Sequence, residues 1–146
     1  RDVYKRQLFT MDGIKGKEEK LYCKGFFRPI QLTIKANGEV ALCRITNAGE
    51  DYGNIHKSVD MVQLLNHLQD SFTFKLHAEK RLHEVLPFMD TSIFGSQFTH
   101  ACSLRAVLTL IGHFMHEEGV TQQDKEGIAR INKKVAWLTG HSSTQW

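Results

Sequence analysis

No stretch of the 146-residue sequence approaches the roughly eighteen consecutive apolar residues of a membrane-spanning helix. The longest apolar run is the short one around 107–111, so no spanning segment is expected. The sequence also lacks G-x-G-x-x-G, a Walker loop and G-x-S-x-G. A dinucleotide cradle, a nucleotide P-loop and serine hydrolysis therefore have no support. Charge of one sign is scarce as well: Lys+Arg number 19 against 16 Asp+Glu, a net +3, with the basic residues scattered. That excess is too small to point to a nucleic acid. Cysteine is limited to Cys23, Cys43 and Cys102, which cannot all pair, and no C-x-x-C occurs. The charged N-terminus lacks the apolar centre of a secretory signal, so a reducing, cytoplasmic setting with buried thiols is the expectation.

What is present describes an ordinary globular chain, 41% hydrophobic and 24% charged. Alternation of Ile30, Leu32 and Ile34 with polar residues, then Asn37-Gly38, then Val40, Leu42 and Cys43, predicts a β-hairpin over about 28–45. A two-residue Asn37-Gly38 loop would set Ala36 against Glu39, Leu32 against Cys43 and Ile30 against Ile45. Cys43 would then share an apolar face with Ile30, Leu32 and Ile34.

Ser58 is a candidate N-cap for a helix with Met61, Leu64, Leu65 and Leu68 on one face. Residues 71–86 read as a short strand at 72–76 and a helix ended by Pro87. A long helix is expected over 99–118, with Ala101, Leu104, Leu108, Ile111 and Met115 as its stripe and Gly119 as its stop. Cys102, Arg105 and Thr109 fall on a neighbouring face. Thr121 and Asp124 approximate a capping box for a last helix carrying Ile128, Ile131, Val135 and Leu138, with Gly140 beyond it. The fold class is α+β, a hairpin followed by three to four helices. Phe26, Phe27, Phe94 and Phe98 are expected in the core. His113 and His116 are expected on an exposed face, since nothing at ligand spacing completes them. Glu117-Glu118 and Lys133-Lys134 read as solvated charge.

Residues 1–7, RDVYKRQ, resemble the translated adapter junction found at broken ends of metagenomic assemblies, which leads us to expect a chain begun further upstream. Residues 8–20 read as a linker, 21–70 as the hairpin-and-helix module, and 71–146 as a helical extension packed on it.

The segment from Cys23 through Leu65 carries the most specific pattern. Cys23, an apolar strand, the Asn37-Gly38-Glu39-Val40 turn, Cys43, Gly53-Asn54-Ile55 and a Ser58-led helix follow one another in an order that resembles the SPASM and twitch auxiliary domains of radical SAM enzymes. The resemblance implies a C-terminal auxiliary domain whose missing N-terminal barrel binds S-adenosylmethionine and whose substrate is a peptide. It further implies a [4Fe-4S] cluster held by Cys23, Cys43 and Cys102, with His56 or His100 as a further ligand and Gly53 and Asn54 shaping the turn beside it. The fragment itself is expected to lack catalysis, because the C-x3-C-x2-C loop of such barrels is absent. A second resemblance lies in THACSLRAVLTLI and VAWLTGHSST, which are similar to two boxes of tyrosine recombinases. It implies phosphate-clamping roles for Arg105 and His141, a leaving-group role for Lys35, and DNA as partner. The tyrosine nucleophile that family requires does not follow His141 within the sequence.

Overall fold

A computed structural model describes residues 9–10, 18–23, 33–41, 53–57, 60–98 and 100–141, and these form an α+β fold with a short hairpin ahead of several helices. In chain order they are β1 (Phe9–Thr10), a 3-10 turn (Glu18–Leu21), β2 (Thr33–Ile34), β3 (Val40–Ala41), α1 (Met61–Asp70) and α2 (Phe72–Ala78). A second 3-10 helix (Leu82–Phe88), α3 (Thr91–Phe94), β4 (Gln97–Phe98), α4 (Ala101–Glu117) and α5 (Lys125–Leu138) complete the series. Among the described residues no helix is long and apolar enough to cross a membrane.

The expected hairpin is present, but its register differs by one residue. Thr33 pairs with Ala41 and Ile34 with Val40. The loop is three residues long: Lys35 N–H donates to Glu39 O at 2.9 Å and Gly38 N–H to Lys35 O at 2.8 Å. Gly38, at φ +83°, supplies the left-handed third position of such a loop. Asn37 is not left-handed, as a type I′ turn would need; its Oδ1 instead accepts from Glu39 N–H at 3.1 Å. An Asn side chain that closes its own turn in this way favours the three-residue loop. Ile34, expected on the apolar face, is 56% exposed, whereas Val40, which the change of register makes its cross-strand partner, is 2% exposed. Val40 is flanked on both sides, by β2 and by Gly53, whose carbonyl accepts from Val40 N–H. The pairings expected for Leu32–Cys43 and Ile30–Ile45, and the core places of Phe26 and Phe27, lie outside the described residues.

Helix α1 forms where the 3.6-residue spacing predicts, capped by Asp60, whose Oδ1 accepts from Val62 and Gln63 N–H. Ser58 lies outside the described residues. Of the stripe, Leu64 and Leu68 are buried while Met61 and Leu65 are exposed. The strand expected at 72–76 is instead helix α2. Alternating Phe72, Phe74 and Leu76 suggest period two, but Ser71 Oγ accepts from Phe74 N–H and starts a new helix immediately after α1. Thr73, Leu76 and His77 become its buried face. Pro87 lies within the second 3-10 helix rather than ending an α-helix.

Helix α4 is the spine. Leu104, Val107, Leu108 and Ile111 are fully buried along it, and it packs against α2, the second 3-10 helix and α5. Gly112 leaves room on α4 for Leu76 of α2 and Val85 of the 3-10 helix. A Cβ there would lie 2.9 Å from Leu76 Cδ1 and 3.2 Å from Val85 Cγ2, so these two core side chains would have to shift to admit it. Each fully buried aliphatic side chain of this cluster contributes about 1.5–3 kcal/mol against exposure. Helix α5 is capped by Asp124, whose Oδ1 accepts from Gly127 N–H, rather than by Thr121. Ile131 and Val135 are buried as expected, but Leu138 is exposed.

Two ties have no local signal in the sequence. Asn132 on α5 is buried, accepts from Asp90 N–H at 2.8 Å and donates to Phe88 O and Ile128 O, pinning α5 to the entrance of α3. Residues expected as a linker supply β1, which pairs antiparallel with β4, Phe9 opposite Phe98. Close by in sequence, Leu21 is fully buried in the helical core.

Candidate functional site

Two groups of residues carry the chemistry read from the sequence: the hairpin turn with the Gly53-Asn54-Ile55 segment, and the N-terminal turns of α4. In the first, the two motifs lie side by side. Glu39 and Asn54 form an antiparallel bridge. Val40 N–H donates to Gly53 O at 2.9 Å and Ile55 N–H to Gly38 O at 2.8 Å. Asn54 Nδ2 donates to Asn37 O at 3.0 Å, and Asn54 Oδ1 accepts from His56 N–H at 2.9 Å. Asn54 thus spans the turn and its own segment with both ends of one amide. Gly38 is buried against this segment. A Cβ on it would lie 2.4 Å from His56 Cδ2 and 2.5 Å from Asn54 Oδ1. Lys35 is a half-buried partner of Glu39 at 3.2 Å across the loop.

In the second group, Arg105 sits one turn into α4 and reaches back to the first 3-10 turn. Its Nε donates to Leu21 O at 2.5 Å, Nη2 to Lys20 O at 3.2 Å and Nη1 to Cys102 Sγ at 3.5 Å. The guanidinium fork therefore caps the carbonyl end of that turn, a use its fixed planar donors suit well. Tyr22 reinforces the attachment: its hydroxyl donates to Lys80 O at 2.6 Å, which leaves it to accept from His83 Nδ1–H at 2.7 Å. Cys23 is the next residue in the chain. Cys23 and Cys102 are half-buried free thiols, and Cys43 lies outside the described residues. His100 is the N-cap of α4, its Nδ1 accepting from Cys102 N–H at 3.0 Å. His141 lies beyond α5, edge-on to Phe94 at 5.2 Å between ring centres and hydrogen-bonded to Thr139 Oγ1 at 2.7 Å.

The [4Fe-4S] cluster expected on Cys23, Cys43 and Cys102 is overturned. Among the described residues no group of three or more His, Cys, Asp or Glu side chains converges to hold a metal. The local reason is visible at α4. Cys102 Sγ faces the Arg105 guanidinium, and the Nδ1 of His100, a candidate further ligand, is taken by a backbone N–H. His56, the other such candidate, lies against Gly38 in the hairpin region.

Several buried polar residues were not among the candidates. His77 is 1% exposed and its Nε2 lies 3.0 Å from Thr109 Oγ1. The Thr109 hydroxyl proton is committed to Arg105 O at 2.6 Å, so His77 must be the donor and carries its proton on Nε2. Burial first, and the Arg105 charge second, pull its pKa down from 6.5 to about 4. His113 is buried rather than exposed, whereas His116 is exposed as expected and stacks on Phe72 at 4.1 Å. Lys134, expected in solvent, sets its ammonium 3.9 Å over the Phe114 ring. Helical phase bears on both: His113 follows the buried Thr109 by four residues on α4, and His77 follows Thr73 by four on the buried face of α2, a phase that exists only once 72–78 is a helix.

Compared with family models, curated proteins and solved structures, the chain matches none.

Proposed function

We propose that this chain is a SPASM- or twitch-like C-terminal auxiliary module of a radical SAM enzyme, one that has kept the framework of such a module without its cluster. In this reading it positions a peptide substrate beside a catalytic barrel carried on the preceding part of the same protein. The observation that supports it is the joining of the Asn37-Gly38-Glu39-Val40 turn to Gly53-Asn54-Ile55 by backbone and Asn54 hydrogen bonds. Two of the segments from which the resemblance was drawn are thus in contact, and the missing Cβ of Gly38 leaves room for Asn54 and His56. The arginine of the recombinase-like boxes is spent on backbone carbonyls of the first 3-10 turn, so less of its fork is left for a phosphate.

The complete gene decides the matter. The expected result is an open reading frame with a C-x3-C-x2-C loop upstream. Its product, reconstituted anaerobically, would hold about four irons per chain, as one barrel cluster requires. It would cleave S-adenosylmethionine, and Cys102→Ala would leave the iron content unchanged. A reading frame without that loop overturns the proposal, and a tyrosine shortly after Trp146 would turn attention to the recombinase boxes.

A further inference from the structure

We draw no further inference here: the strongest candidate, the open cavity of about 460 Å³ between α2, the second 3-10 helix, α4 and the α4–α5 connection, pairs its Arg81 with its own Glu84, and nothing in the structure shows what covers it.

Discussion

Acidifying the protein from pH 7 to pH 4 should cost it a definite part of its stability through one residue, His77. In the folded chain the imidazole lies between α2 and α4 with its Nε2–H donated to Thr109 Oγ1, and burial with the Arg105 charge lowers its pKa from 6.5 to about 4. The unfolded chain takes up a proton at about 6.5 and the folded chain does not, so the unfolded state binds more protons between these values and stability falls as pH falls. The contribution is complete above about pH 6.5 and is lost progressively down to about pH 4. At roughly 1.4 kcal/mol per pH unit, the interval corresponds to about 3 kcal/mol. That is a large share of the 5–15 kcal/mol (roughly) that holds a domain of this size together.

The assay is urea unfolding followed by circular dichroism at pH 7.5, 6.5, 5.5 and 4.5, on the wild-type chain and on His77→Gln. Glutamine can donate to Thr109 from its amide but does not titrate, so the variant isolates the proton from the hydrogen bond. Wild-type stability should fall more steeply than that of the variant, and the gap between the two slopes should be close to one proton per molecule between pH 6 and 4.5. Parallel slopes would refute the reasoning, because they would mean that His77 takes up its proton equally in both states.

Two further substitutions test the framework. Gly38→Ala places a Cβ against Asn54 Oδ1 and His56 Cδ2 at a backbone φ of +83°. We expect a loss of about 2 kcal/mol or more by urea unfolding, with faster amide exchange at Val40 and Ile55, whose N–H groups pair the turn to the segment. Normal exchange at both amides would show that the two motifs do not depend on Gly38. Arg105→Ala removes the donors to Leu21 O and Lys20 O. A loss of about 2–3 kcal/mol is expected for hydrogen bonds to a charged group, with Arg105→Lys recovering only part of it because an ammonium cannot reproduce the planar fork. Full recovery by lysine would mean that charge alone, and not donor geometry, holds the 3-10 turn.

The sequence by itself determined the helices with clear 3.6-residue stripes and the place of the hairpin. Leu104, Leu108 and Ile111 on α4 and Ile131 and Val135 on α5 are buried where their spacing puts them. Local chemistry sufficed there, because periodicity and a glycine-bearing turn act within a few residues of themselves. Where two local signals competed, tertiary structure decided. Phe72, Phe74 and Leu76 alternate like a strand, yet the Ser71 cap and the core under Leu76 and His77 make them a helix. Asn37-Gly38 permits two loops, and the one-residue change of register came with Gly38 in the left-handed position and Asn37 bonded to Glu39 N–H.

Contacts made across long separations were decided by the tertiary structure alone. Cys102 reads as a ligand in a list of cysteines, but in the fold its sulfur meets a guanidinium that is itself engaged with carbonyls more than eighty residues earlier in the chain. His77 and Thr109 are 32 residues apart, Asn132 and Asp90 are 42 apart, and β1 meets β4 although the two stand far apart in the chain. Whether a cysteine, histidine or arginine becomes a ligand, a buried donor or a clamp depends on which polar groups packing brings within about 3 Å of it. Residue type fixes only what each could do there, and the packing of α2, α4 and α5 fixes which of those uses is realised.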